Sequence, residues 1–205
     1  MSGSRDGHQV HDGSHLTEVP KPTDQGKTTA GAIISAADIN DSPVELLRLV
    51  NNAMPILRAT MPTFDFDKPP TDPVQLARDM AHTLLTVGGL GLSANQVGLP
   101  FRMFVVASNP IMAIFNPRIV DMSTEQVELE EGCLSWPGLF LKIKRSRGIK
   151  MRWTMPTGET LTERYEGITA RVIQHEVDHL NGIVFLNKVS KLRRQMALDK
   201  QKNII

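Results

Sequence analysis

The sequence predicts an α+β fold in which mainly antiparallel sheets pack around a central helix. Short β-prone runs crowd between Phe101 and Glu166, each bounded by turn residues. Segments with a helical apolar period lie on either side of that crowd. Helices and strands therefore fall in separate blocks, the order expected of α+β architecture.

From Met1 to about Gly31 the chain mixes Ser, Gly, Asp, His, Thr, Pro and Lys with no apolar period, so residues 1–40 are read as a flexible polar extension. His8, His11 and His15 lie in it and are read as solvated, because nothing there would hold three imidazoles in place. The domain is expected over residues 41–190. Ser42-Pro43-Val44-Glu45 has the form of a capping box and predicts a short helix ending near Met54, before Pro55. Thr71-Asp72-Pro73 opens a second helix, in which Val74, Ala77, Ala81, Leu84 and Leu85 recur at helical spacing and Gly88-Gly89 closes the run. His82 on it is read as a surface or packing residue.

Strands are expected at Met103 to Ala107, Ala113 to Phe115, Gln126 to Leu134, Gly148 to Trp153 and Thr160 to Tyr165. Turns at Asn109-Pro110, Asn116-Pro117 and Pro156-Thr157-Gly158 separate several of them. A third helix is expected from about Thr169 to Asn181, stopped by Gly182, and residues 191–205 form a short basic tail or helix.

Composition narrows the classes. A chain of 205 residues with 40% hydrophobic content can bury a real core. A net charge of +1 and 5% aromatics give no reason to expect a specific DNA partner. No apolar stretch is long enough to span a bilayer, and the polar N-terminus does not resemble a secretory signal. The single cysteine rules out an intrachain disulfide and suits a reducing compartment, so a cytoplasmic location is expected.

The chemistry is carried by the third helix. His175 and His179 are four residues apart and project from one face, where both imidazoles can reach one ion. Glu176 stands on the adjoining edge, able to take a proton from water and pass it to a leaving group. Ala170, Val172, Ile173, Val177 and Leu180 make the rest of the helix apolar and buried. Catalytic sites of this kind use three protein ligands, yet no His or Glu follows His179. Cys133, in Glu131-Gly132-Cys133-Leu134-Ser135, is the strongest third candidate, since a thiolate and two imidazoles hold a first-row divalent ion well.

Three segments, Gly89-Leu90-Gly91-Leu92-Ser93-Ala94-Asn95-Gln96-Val97-Gly98, Glu131-Gly132-Cys133-Leu134-Ser135 and Gln174-His175-Glu176-Val177-Asp178-His179-Leu180, resemble in order and spacing the signature motifs of the peptide deformylases. The similarity runs from about Pro55 to Val189. It implies that Cys133, His175 and His179 bind Fe²⁺, for which Zn²⁺, Ni²⁺ or Co²⁺ can substitute, with Glu176 as general acid/base. It also implies that Gln96 and the backbone amide of Leu134 hold the developing oxyanion. The substrate implied is a nascent polypeptide with an N-terminal formylmethionine, and the products are formate and a free amino terminus. Gly89 and Gly91 let the backbone come close to substrate, and Leu90, Leu129, Ile168 and Val172 occupy positions that resemble the family's methionine-pocket lining, with core packing as the other reading of the same residues. Glu131, Arg145 and Asp178, charges close to the motifs, are expected to orient His175, His179 and the strand.

Two departures accompany the resemblance. Phe140 stands where several members carry a basic residue in the substrate cleft, and Ser93 replaces a usual alanine. The C-terminal Lys188, Lys191, Arg193, Arg194, Lys200 and Lys202 are balanced only by Asp199, a pattern that serves ribosome docking in some relatives and a solvated helix face otherwise. A zincin-type metallopeptidase and a non-catalytic protein with a structural ion are the competing readings. Dependence on Cys133 separates the first, and a general base at Glu176 argues against the second.

Overall fold

The computed structural model describes residues 43–202 and a two-residue strand, β1 (Ile33–Ile34). The rest of the extension, with His8, His11 and His15, lies outside the described residues. In chain order follow α1 (Pro73–Val87), β2 (Gly91–Ser93), β3 (Met103–Val106), β4 (Ile111–Met122), β5 (Gln126–Cys133), β6 (Trp136–Ser146), β7 (Gly148–Thr154), β8 (Thr160–Glu166), α2 (Gly167–Leu180) and α3 (Lys191–Lys202).

Helix α1 starts and stops where local chemistry dictates. The Asp72 carboxylate accepts from the amides of Val74 at 2.8 Å and Gln75 at 3.3 Å, Pro73 supplies the first turn, and Gly88 leaves the helix at φ 76°. Its buried face, Leu76, Ala77, Met80, Ala81 and Leu84, packs on one side of the main sheet with Leu92, Met103, Val105, Ala113 and Phe115.

That sheet runs β2-β3-β4-β7-β8, with β1 added against β4, and every pair is antiparallel. β3 is buried on both faces: Met103 and Val105 meet the α1 layer, while Phe104 and Val106 meet the layer built by α2. Each such fully buried side chain contributes about 1.5–3 kcal/mol. Helix α2 lays Ala170, Ile173, Val177 and Leu180 on Phe104, Ile114, Met151 and Trp153. Its opposite face meets the separate β5-β6 hairpin, so the helix is central, as expected, between sheet and hairpin.

Two sequence expectations are corrected, and one strand had not been expected. The helix expected from Ser42 to Met54 is absent over the described residues 43–54, and only Pro55–Arg58 makes a single 3₁₀ turn. The amides of Glu45 and Leu47 instead donate to Asp79 Oδ1 and Thr83 Oγ1 of α1, and that of Val50 to the Gln96 carbonyl. Alternate residues are thus tied to α1, a period of two that a helix cannot supply.

Asn116-Pro117 does not end a strand. β4 continues through it with a register shift between Phe115 and Arg118, a bulge in which Asn116 adopts φ 48°. The Asn116 side chain pairs with the backbone of Phe64, accepting from its amide at 2.8 Å and donating to its carbonyl at 2.9 Å.

Strand β6 goes beyond the sequence expectations, although Leu139, Leu141, Ile143 and Arg145 alternate as buried residues along it. With Trp136, Phe185 and Leu186 those apolar residues form a third core, on which Ala197 and Leu198 of α3 rest. Over its described residues, Lys191–Lys202, the C-terminal segment is therefore a docked helix, and Gln201 Nε2 donates to the Pro137 carbonyl at 2.6 Å.

Candidate metal centre and active site

Helix α2 carries His175 and His179 one turn apart, with ring centroids separated by 4.9 Å. The end of β5 brings Cys133 to them, placing Sγ 3.2 Å from His179 Nε2. One ligand atom from each of the three lies within 4.8 Å of the others. Metal–ligand bonds of about 2.0–2.3 Å set tetrahedral ligand atoms roughly 3–4 Å apart, so one ion can bridge this triad.

The surroundings fit such an ion. His179 is buried and its Nδ1 has no hydrogen-bond partner. Burial, aided by the charges of His175 and Arg145, holds it well below its ordinary pKa, so the ring stays neutral as a ligand must. For His175, burial would lower the pKa, but hydrogen bonds to Cys133 and Glu131 and the Glu176 charge outweigh it, raising the value to about 10. The same carboxyl groups of Glu131 and Glu176 that favour positive charge on this ring would favour a divalent cation beside it.

Behind the triad lies a buried ionic lattice. Glu131 Oε2 is 3.1 Å from His175 Nδ1, and Arg145 grips Glu131 through two nitrogens at 2.7 and 2.9 Å. Arg145 also reaches Asp178 at 2.7 Å, and Lys188 meets the other oxygen of Asp178 at 2.8 Å. Burial alone would raise the Glu131 carboxyl, but His175 and Arg145 bring it down to about 2. None of the three expected orienting charges has a hydrogen bond to His179 itself; the carbonyl of that residue instead accepts from Asn95 Nδ2 at 2.8 Å.

Glu176 is buried, and its Oε2 has no partner. Burial pushes its carboxyl up to about 7, against the pull of His175 and Ser93. A group titrating near neutrality can both accept and return a proton. Gly91 makes room for it, since a Cβ there would lie 2.9 Å from Glu176 Cδ and 2.7 Å from Val172 Cγ1.

Gln96 closes a short 3₁₀ turn, Ala94–Val97, capped by Ser93. Its Oε1 accepts from the Ser93 amide and hydroxyl, both at 3.0 Å, which fixes the amide so that Nε2 points at Ser135 Oγ, 3.0 Å away, and at Cys133 Sγ, 3.6 Å away. The serine that departs from the usual alanine is thus part of the device that orients Gln96.

A cavity of about 440 Å³ opens over these groups. Gly89, Leu90, Gly91, Leu129, Leu134, Ile168 and Val172 line it, together with Gln96, Cys133, His175 and Glu176, whereas His179 sits behind its wall. Phe140 stands at the cavity and is 59% exposed, so this departure puts an aromatic ring at the cavity mouth.

Sequence reasoning passed over two contributors. Arg171, one turn before His175, donates to Glu131 and to the carbonyls of Ile143 and Val127, fastening α2 to the hairpin. Its spacing of four from His175 was the available signal. Ser135 closes the Cys133 segment, but its pairing with Gln96, 39 residues away, is set only by the tertiary structure.

Comparison with known proteins shows the family. The polypeptide deformylase family pattern matches residues 46–195. The peptide deformylase of Thermotoga petrophila is 41% identical over 126 residues, 61% of this chain and 77% of that protein. Among solved structures, the peptide deformylase from Thermus thermophilus superposes with a TM-score of 0.69 at 33% identity, covering 77% of this chain and 93% of that one. A class I type b peptide deformylase from Acinetobacter baumannii with Met-Ala-Ser bound gives 0.67 at 31% identity, covering 71% and 99%. The chain belongs to the polypeptide deformylase family, metal-dependent hydrolases that remove the formyl group from the N-terminal formylmethionine of nascent polypeptides as formate.

Proposed function

We propose that the cavity beside α2 is where this chain performs that deformylation, with Cys133, His175 and His179 holding the ion and Glu176 moving the proton. The observation that carries the reading is the convergence of a three-ligand triad and a buried carboxylate with one unpartnered oxygen in one apolar-walled cavity. A divalent ion there supplies Lewis acidity, lowering the pKa of water toward neutrality and drawing charge from a carbonyl oxygen. Fe²⁺ is the ion we assign, with Zn²⁺, Ni²⁺ or Co²⁺ able to replace it, because a thiolate and two imidazoles accept all four.

The methionine side chain enters among Leu90, Leu129, Ile168 and Val172, and the backbone passes close to Gly89 and Gly91. Glu176 takes a proton from the attacking water and delivers it to the departing amine, for which a carboxyl near pKa 7 is suited. Gln96 Nε2 and the Leu134 amide donate to the formyl oxygen as its charge grows, and Ser93 keeps the Gln96 amide from turning. Arg171, Arg145 and Glu131 hold His175 against the hairpin.

A nascent formylated polypeptide as substrate places the chain in the cytoplasm, and no described helix is long and apolar enough to cross a membrane. The exposed Lys191 and Lys200 of α3 suit it to ribosomal RNA phosphate. Truncation after Val189 should slow action on ribosomes and spare free peptide; equal loss on both would make α3 purely structural. The central test is anaerobic formate release from formyl-Met-Ala-Ser. Wild type should turn over, and Glu176→Gln should keep its metal while losing at least about a hundredfold in kcat. Absence of formate from fully metal-loaded wild type would overturn the reading.

A further inference from the structure

On the other side of α2 from the catalytic cavity lies a second recess of about 430 Å³, which shares no lining residue with the first. Its charge is one-sided. Arg102, Arg118, Lys144, Arg145 and Lys188 line it, against the single carboxylate of Asp178. Arg145 is neutralised by Glu131 and Asp178, and Lys188 by Asp178. Arg102, Arg118 and Lys144 form no ion pair within 4.0 Å among the described residues, and Lys144 lies across the hairpin from Glu128, whose carboxylate meets Arg193 instead.

Each of these three comes from a different segment. Arg102 precedes β3, Arg118 follows the bulge of β4, and Lys144 lies on β6. Arg102 is partly buried, and its guanidinium touches only neutral oxygens: the carbonyls of Leu180 and Pro117, both at 3.3 Å, and Asn181 Oδ1 at 3.0 Å. Arg118 is also set directly across from Arg152 of β7, a like-charge pair that adds positive charge beside the recess. Unpaired cations gathered on a concave surface are the usual means of holding a multiply charged oxyanion, and guanidinium groups match phosphate oxygens in pairs.

We propose that this recess binds the phosphate group of a small phosphorylated molecule through Arg102, Arg118 and Lys144. Its volume falls in the range of pockets that enclose small ligands, about 300–1,000 Å³, which favours a compact phosphate compound over an extended RNA strand. Because it lies apart from the catalytic cavity, occupancy leaves the substrate path open.

The test uses the metal-loaded full chain and measures binding of inorganic phosphate and pyrophosphate by calorimetry at fixed ionic strength. Both should bind, pyrophosphate more tightly, and Arg118→Ala with Lys144→Ala should weaken each by about tenfold or more. Deformylation of formyl-Met-Ala-Ser should stay within about twofold of wild type in that double variant, which also reports that it is folded. Saturating Met-Ala-Ser should leave phosphate binding unchanged. Binding that survives the double substitution, or that Met-Ala-Ser displaces, would put the anion elsewhere and overturn the proposal. So would binding of a short single-stranded RNA by wild type, lost in the double variant, with no binding of phosphate or pyrophosphate, since the ligand would then be the RNA backbone.

Discussion

His175 Nδ1 lies 3.1 Å from Glu131 Oε2, so one ring nitrogen is committed to a carboxylate on the hairpin. The other is thereby oriented toward Cys133 and His179. Two arginines on that same carboxylate turn the pair into a brace between helix and hairpin. The ligand geometry consequently depends on residues that touch no substrate.

Replacing Glu131 with Gln keeps its size and removes its charge. Metal affinity should fall by about 10–100-fold, with kcat per bound metal less affected. Competition with a chromogenic chelator measures it, and unchanged affinity would mean that His175 is positioned by the helix alone.

The same carboxylate should shape acid stability. Its folded-state pKa of about 2 lies below the ordinary 4.5, so its stabilising contribution is complete above about pH 4.5 and vanishes as pH falls toward 2. Denaturant midpoints of metal-free protein should therefore drop more steeply across that window in wild type than in Glu131→Gln. Parallel curves would contradict the assignment.

Cys133→Ala should reduce bound metal to background and abolish formate release, as should prolonged chelation of wild type, with activity restored to wild type by added Fe²⁺ under anaerobic conditions. A variant that kept metal and activity would point to a metallopeptidase-like ligand set lacking the thiolate.

Gly91→Ala should act on Glu176. The new methyl would press on the carboxylate and on Val172, and a displacement of the base by about 1 Å can lower kcat about a hundredfold. Metal content, measured by atomic absorption, should remain stoichiometric.

Gly182 ends α2 at φ 71°, where a Cβ would lie 2.5 Å from the Arg58 carbonyl oxygen. Gly182→Ala should cost at least about 1–3 kcal/mol, lowering Tm by roughly 3–10 °C in a thermal melt. No shift would show that the Arg58 turn yields freely.

Local chemistry made several features legible from sequence alone. The ends of α1 follow from Asp72, Pro73 and Gly88, and the shared face of His175 and His179 follows from helical geometry. β6 was legible too, in the alternation of Leu139, Leu141 and Ile143, but the Trp136-Pro137-Gly138 start masked it. What failed was the helix expected from Ser42, since a capping box is a local preference and α1 offered Asp79 and Thr83 to an extended chain.

By itself the sequence determined the ligand types, the α+β class and the motif order, because side-chain identity and short-range periodicity carry them. Only the tertiary structure decided the rest. The meeting of β5, α2 and the Gln96 turn joins residues as far apart as Asn95 and His179, and burial of Glu131, Arg145 and Arg171 binds them into one network. Those contacts depend on distances between segments that lie far apart in the chain, which no local pattern encodes.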